Sequence, residues 1–250
     1  MLKRLTRLDS APPWSVTTAV GMVIAMFAAI VLGTTIAQLL LPESPAQPLI
    51  GWIIGGVLTI ALIFFSRYRT LEERTAFKLG PTRSALPIIL LLSFAVALLI
   101  DLISLVITGN FWPVLELISF FSDGGGYTLL PRADLTIAAW VLAVLLLVIV
   151  QPLAEELVFR GLIFPALRIS LGALSGFLMT AVFHAAFHVL AYTPFQLNGL
   201  TPFWYALIVP LLDALFITGV RAYTSSTRAA IVAHVAFGMF AILKALAVVG

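Results

Sequence analysis

Apolar runs of membrane-crossing length follow one another along almost the whole chain, and that succession restricts the fold more than any single residue does. They cover residues 16–41, 49–66, about 85–108, 135–168, 172–192, 203–220 and 227–249. A helix needs roughly 20 apolar residues to cross the ~30 Å hydrocarbon layer, and in lipid only helices and closed barrels satisfy their own backbone groups. The expectation is an all-α, polytopic transmembrane helix bundle of about seven spans. Of the 250 residues, 62% are hydrophobic and 10% charged, against roughly 25% charged in a soluble domain. No stretch is polar enough to clothe a soluble domain, so residues 1–14 read as a basic leader and 15–250 as one transmembrane domain.

Lysine and arginine are distributed unevenly over the connections. The leader carries Lys3, Arg4 and Arg7, the 67–83 connection carries Arg67, Arg69, Arg74, Lys78 and Arg83, and later turns carry Arg168, Arg221 and Arg228, while the opposite connections hold only Arg132. Under the positive-inside rule this places the N-terminus in the cytoplasm and the C-terminus outside. The net charge of +3 is accounted for by topology, so no nucleic-acid partner is expected. The first run is too long for the core of a cleaved signal peptide and is expected to remain as a span, and the lack of a recognisable targeting signal together with compactness fits a multi-pass protein of a bacterial or archaeal plasma membrane. Residues 109–134 read as an interfacial helix, around 111–121, followed by an outside loop. The absence of cysteine excludes disulfides, thiolate metal sites and cysteine nucleophiles.

Chemistry concentrates in 135–249. The stretch Gln151-Pro-Leu-Ala-Glu-Glu-Leu-Val-Phe-Arg160 sets two carboxylates and an arginine into the longest apolar run. An ionised side chain at the middle of a span costs roughly 2.5–3.5 kcal/mol even on lenient scales, so both glutamates need partners. Glu156 and Arg160 are one helical turn apart and can pair, as an ion pair closing a helix end or as part of a site. Glu155 lies about 100° round the helix and has no local cation. If the fourth and fifth spans form an antiparallel hairpin turning near 170–173, Glu155 and His188 stand at one level. His184 and His188 share a helix face, the arrangement two imidazoles need to approach one metal ion or one water. His234 enters the seventh span from the same side, and Asp213 is an intramembrane acid, hence a functional candidate by default.

At these residues the chain resembles the CPBP family of intramembrane proteases, which includes the type II CAAX prenyl endopeptidases and the bacteriocin-processing or Abi proteins. The motif Glu-Glu-x-x-x-Arg is matched in full by Glu155, Glu156 and Arg160, with Gly161 following. The family's Phe-x-x-x-His falls on His184 and His188, with histidine in place of phenylalanine. Its His-x-x-x-Asn/Asp falls on His234 and Gly238, with glycine in the last place. The resemblance implies an endopeptidase acting on a membrane-associated, in some members prenylated, peptide or protein. It implies Glu155 as the base that activates water, Glu156 braced by Arg160, His188 and His234 positioning water or metal, and His184 and Asp213 as auxiliary groups. Glu155, His184, His188 and His234 would suffice as a tetrahedral zinc set, and hydrolysis without metal would use the same residues.

Two other functions fit the same residues. One is a catalytically weak member of the family serving as a membrane scaffold, immunity or regulatory protein, for which Gly238 is the signal. The other is a small proton-coupled transporter relaying protons through Asp213, Glu155 and the histidines, against which stands the lack of any visible internal repeat. Lipids are the one partner common to all three readings, and the sequence leaves the oligomeric state open.

Overall fold

The computed structural model describes residues 6–44, 46–82, 85–109, 137–192 and 200–249. The expected interfacial helix and outside loop therefore lie outside the described residues, as do Lys3, Arg4, Arg83 and Arg132. The described elements are all helical: α1 Val16–Leu40, α2 Gln47–Arg67, α3 Leu71–Phe77, α4 Leu86–Thr108, α5 Ile137–Leu171, α6 Ala173–Tyr192, α7 Trp204–Thr224 and α8 Thr227–Val249. Seven of these, all but α3, are long and apolar enough to cross a membrane. The chain is thus a polytopic all-α bundle. Its outward faces carry bare apolar side chains such as Ile24, Ile88 and Val106, as suits a surface whose solvent is lipid.

α5 is the axis of the bundle. Its 35 residues correspond to about 52 Å of helix at 1.5 Å per residue, and 154–168 are buried without a break. α6 returns antiparallel to it through Gly172, which turns in a left-handed conformation (φ 87°) open to glycine. On the other side, α1 and α2 approach so closely that a Cβ on Gly33 would stand 2.4 Å from the Gly51 carbonyl oxygen. Small residues permit this in a membrane, where van der Waals packing rather than water drives helices together.

Three stretches of α5 and α7 widen to π-helical turns: Leu145–Val150, Leu157–Ile163 and Trp204–Ile208. Each ends two residues before a proline: Pro152, Pro165 and Pro210. Proline has no N–H to give, and its ring collides with the carbonyl four residues back. The wider turn upstream relieves both problems and adds a residue to the helix without breaking it.

The basic ends of the spans gather at one end of the bundle and are tied together there. The leader is part of this closure: Trp14 donates its indole N–H to the Leu162 carbonyl at 3.1 Å, Asp9 pairs with Arg221 at 2.9 Å, and the Arg7 carbonyl accepts from Arg168 at 2.9 Å. Within the 67–83 connection, α3 forms because Thr70 and Glu73 cap it reciprocally at 3.1 and 2.9 Å, the capping box. The backbone N–H of Thr70 and burial's smaller opposition leave the Glu73 carboxyl below its ordinary value. That cap is therefore complete above the ordinary carboxylate range and is lost as pH falls through the lowered value. Phe77, fully buried, seats the end of α3 against Gly161, where a Cβ would meet the phenyl ring at 2.7 Å.

Candidate active site

The proline-flanked segment Gln151–Glu156 of α5 carries the carboxylates, with Arg160 in the widened turn that follows. Glu155, Glu156 and Arg160 are each wholly inaccessible, so their charges are held by neighbours alone. Arg160 donates from one terminal nitrogen to Glu156 Oε1 at 2.9 Å and to His184 Nδ1 at 2.6 Å, and from the other to the Ala214 carbonyl at 3.0 Å. His234 reaches Glu156 Oε1 through Nδ1 at 2.9 Å. Glu155 Oε2 lies 2.7 Å from His184 Nε2 and 3.2 Å from His188 Nε2. Phe159 stacks on the His184 ring with centroids 4.5 Å apart and 19° between planes. Four helices thus converge on one buried cluster.

The arrangement departs from the sequence reading in two places. His234, expected beside Glu155, bonds to Glu156, because α8 meets α5 on the face that carries Glu156 rather than the one that carries Glu155. His184, expected as an auxiliary group, is the joint of the cluster, with Arg160 on one ring nitrogen and Glu155 on the other. These contacts fix protons. A guanidinium only donates, so Nδ1 of His184 accepts and its proton sits on Nε2, pointing at Glu155. His234 likewise places a proton on Nδ1 towards Glu156.

Zinc can be tested against that donor set. Glu155, His184 and His188 bring one ligand atom each within 4.8 Å of one another, and the residue types suit zinc. His234 stands outside this group among the described residues. His184 Nε2, however, carries the proton that its contact with Arg160 imposes and so has no lone pair for a metal. Glu155 and His188 remain, one ligand fewer than the three protein ligands of a catalytic zinc site. As arranged, the cluster does not fit zinc.

A narrow cavity of about 40 Å³ opens beside the cluster, lined by Gln151, His184, His188, Asp213, His234 and Gly238 among others. This is room for a water molecule or two. Asp213 therefore faces the same space as the histidines. Gln151 is the group the sequence reading overlooked: it precedes Glu155 by one turn and shares its face, and its side-chain amide makes no hydrogen bond to another described residue. Its spacing from Glu155 was the available signal. At Gly238 α8 lies close against α5, since a Cβ there would lie 2.0 Å from the Leu147 carbonyl oxygen. That carbonyl is in the widened turn before Pro152. Its i+5 partner would be Pro152 itself, which has no proton to offer.

Replacing Arg160 by methionine should remove the three bonds that hold the cluster and leave Glu156 buried beside His234 alone. Breaking a buried pair from one side costs roughly 3–5 kcal/mol, so the variant should lose most of its thermal stability in detergent. The double variant Arg160→Met with Glu156→Gln should recover a large part of it. Equal melting of wild type and single variant would mean that the pair contributes nothing to the bundle.

Residues 137–240 match the family model described as type II CAAX prenyl endopeptidase Rce1-like. The matched segment contains every residue of the cluster and all of its cavity lining except Ala241. No curated protein and no solved structure matches the chain.

Proposed function

Residues 137–240 make this chain a member of the CPBP family of proteases through its Rce1-like type II CAAX prenyl endopeptidase model, and from that premise we propose an intramembrane endopeptidase that uses Glu155 to activate water. The observation that carries the reading is the contact of Glu155 with two imidazoles that themselves line a cavity of water size. The carboxylate takes a proton from water as the oxygen adds to the scissile carbonyl, and returns it to the departing amine as the C–N bond breaks. His184 is a positioning residue, its Nε2–H aiming the carboxylate. His188 borders the cavity and orients the water. Glu156, held by Arg160 and His234, keeps α5 and α8 in register, and His234 presents Nε2 to the cavity. Asp213 is an auxiliary acid on the far wall.

The oxygen of the tetrahedral intermediate needs a donor. Gly238 offers no side chain and His234 is engaged by Glu156 through Nδ1, whereas the Gln151 amide faces the cavity without a bond to another described residue. Gln151→Ala should lower kcat roughly 100-fold with little change in KM, the size of effect seen when one oxyanion donor is removed. A change confined to KM would instead assign Gln151 to substrate binding.

The substrate in this reading is a membrane-associated peptide or protein, met near the basic end of the bundle, which positive-inside topology assigns to the cytoplasm. The test is reconstitution into liposomes with membrane-tethered peptides, prenylated and not, followed by mass spectrometry. Internal cleavage that persists in chelator supports a metal-free endopeptidase. Cleavage abolished by chelator and restored by zinc would overturn the metal-free part, and intact peptides throughout would leave the family's scaffold role in its place.

A further inference from the structure

At the basic end of the bundle a second cavity, about 730 Å³ in volume, shares no residue with the carboxylate cluster. Three segments build it. The leader supplies Arg7, the connection around α3 supplies Arg74 and Lys78, and the turn from α7 to α8 supplies Tyr223, Ser225 and Ser226. No carboxylate is among its described lining residues, although Glu72, Glu73 and Asp9 lie close by in the chain. Glu73 is engaged in the α3 cap and Asp9 with Arg221. Glu73 and Asp9 are thus turned to structural uses, while three cations and several hydroxyls line the same space.

The walls are held in place by contacts independent of any ligand. The Lys78 carbonyl accepts from the Thr227 N–H at 3.1 Å, the Arg74 Nε–H donates to the Tyr68 carbonyl at 3.1 Å, and Lys78 and Ser225 are both fixed in left-handed conformations. Lys78 thereby has its backbone anchored, and the Arg74 guanidinium is oriented through its Nε with its terminal nitrogens beyond that bond. The ends of α2 and α7 and the starts of α1 and α8 all border this region, so it lies at the level where spans leave the hydrocarbon.

We propose that this cavity is a binding site for a phosphate-bearing anion at the membrane surface. Converging cations with hydroxyl donors are the chemistry that recognises phosphate oxygens, and basic pockets between spans on the basic side of a membrane suit anionic headgroups. The volume lies within the range of small-ligand sites. The phosphate can come from a lipid headgroup or from solution. The site is independent of the hydrolase reading, because a chain with no peptidase activity would still bind.

The purified protein is placed in nanodiscs of phosphatidylcholine alone, of phosphatidylcholine with phosphatidylglycerol, and of phosphatidylcholine with inorganic phosphate in the buffer. Thermal unfolding and lipid retention by native mass spectrometry are then read. A ligand that binds the folded state alone raises the melting temperature. A gain with phosphatidylglycerol supports the lipid source, and a gain with inorganic phosphate the soluble one. The triple variant Arg7→Gln, Arg74→Gln, Lys78→Gln should retain the anion roughly 100-fold less well, about one surface charge's worth of attraction lost at each position. The control Arg69→Gln with Arg228→Gln, exposed cations outside the cavity lining, should retain it fully. Should the triple variant not fold, the three single variants are compared in the same way. No gain from either phosphate source, or equal loss in the control, would overturn the proposal.

Discussion

Glu155→Gln is expected to leave a folded protein that no longer cleaves. The amide keeps the carboxylate's shape, and its oxygen can still accept from His184 Nε2, now 2.7 Å from the carboxylate. The second contact, with His188 at 3.2 Å, can be kept in the same way. What the amide cannot do is take up a proton from water. General-base assistance contributes roughly 10²- to 10⁴-fold, and a base that must also protonate the leaving amine is needed twice, so turnover should fall by at least the upper figure. The variant's melting temperature should stay close to wild type, which distinguishes lost chemistry from lost structure. Processing at the wild-type rate would remove Glu155 from the mechanism.

Gly238→Asn is expected to do the opposite, damaging the structure before chemistry can be measured. The resemblance drawn from the sequence expects an amide or carboxylate at this position, so the substitution looks like a restoration. In this chain a Cβ there falls 2.0 Å from the Leu147 carbonyl oxygen and 2.8 Å from its carbon. Backbone cannot step aside as a flexible side chain can, so α8 must move away from α5 and take His234 with it. Overpacking costs typically 1–3 kcal/mol and occasionally more, and a backbone clash belongs at or above that upper figure. Gly238→Ala should be destabilising for the same reason. A Gly238→Asn protein that melts like wild type and cleaves faster would mean that α8 can be repositioned freely.

The difference between these two sites explains what the sequence could disclose. Spans were legible because lipid demands long unbroken apolar runs: α8 begins and ends where the run 227–249 does, and α1, α2 and α4 to α7 depart from theirs by a few residues. The convergence of Glu155 with His188 was legible because a hairpin at Gly172 leaves little freedom of register. Partner choice was not. Whether His234 meets Glu155 or Glu156 depends on the rotation of α8 against α5, and that rotation is set by Gly238 resting on the Leu147 carbonyl. The widened turns were in principle readable from Pro152, Pro165 and Pro210 within apolar runs, yet a proline can equally kink or end a helix. α3 was hidden because its seven residues are highly charged and carry no span signal; Thr70 and Glu73 at capping-box spacing were its one mark.

The role given to His184 shows the same limit from the chemical side. By sequence it occupies a position where the resemblance expects phenylalanine. Only the 2.6 Å contact with Arg160 reveals that its tautomer is imposed, and with it the reason the cluster presents a proton rather than a lone pair to Glu155.

The central claim is that Glu155 acts as a base on water and not as a nucleophile towards the peptide. A single turnover in ¹⁸O-labelled water, with mass spectrometry of both the cleaved peptide and the protein, separates the two. The account predicts one labelled oxygen in the new carboxyl terminus and none on Glu155. Label on the Glu155 side chain, with an unlabelled peptide product, would show an acyl intermediate and contradict it.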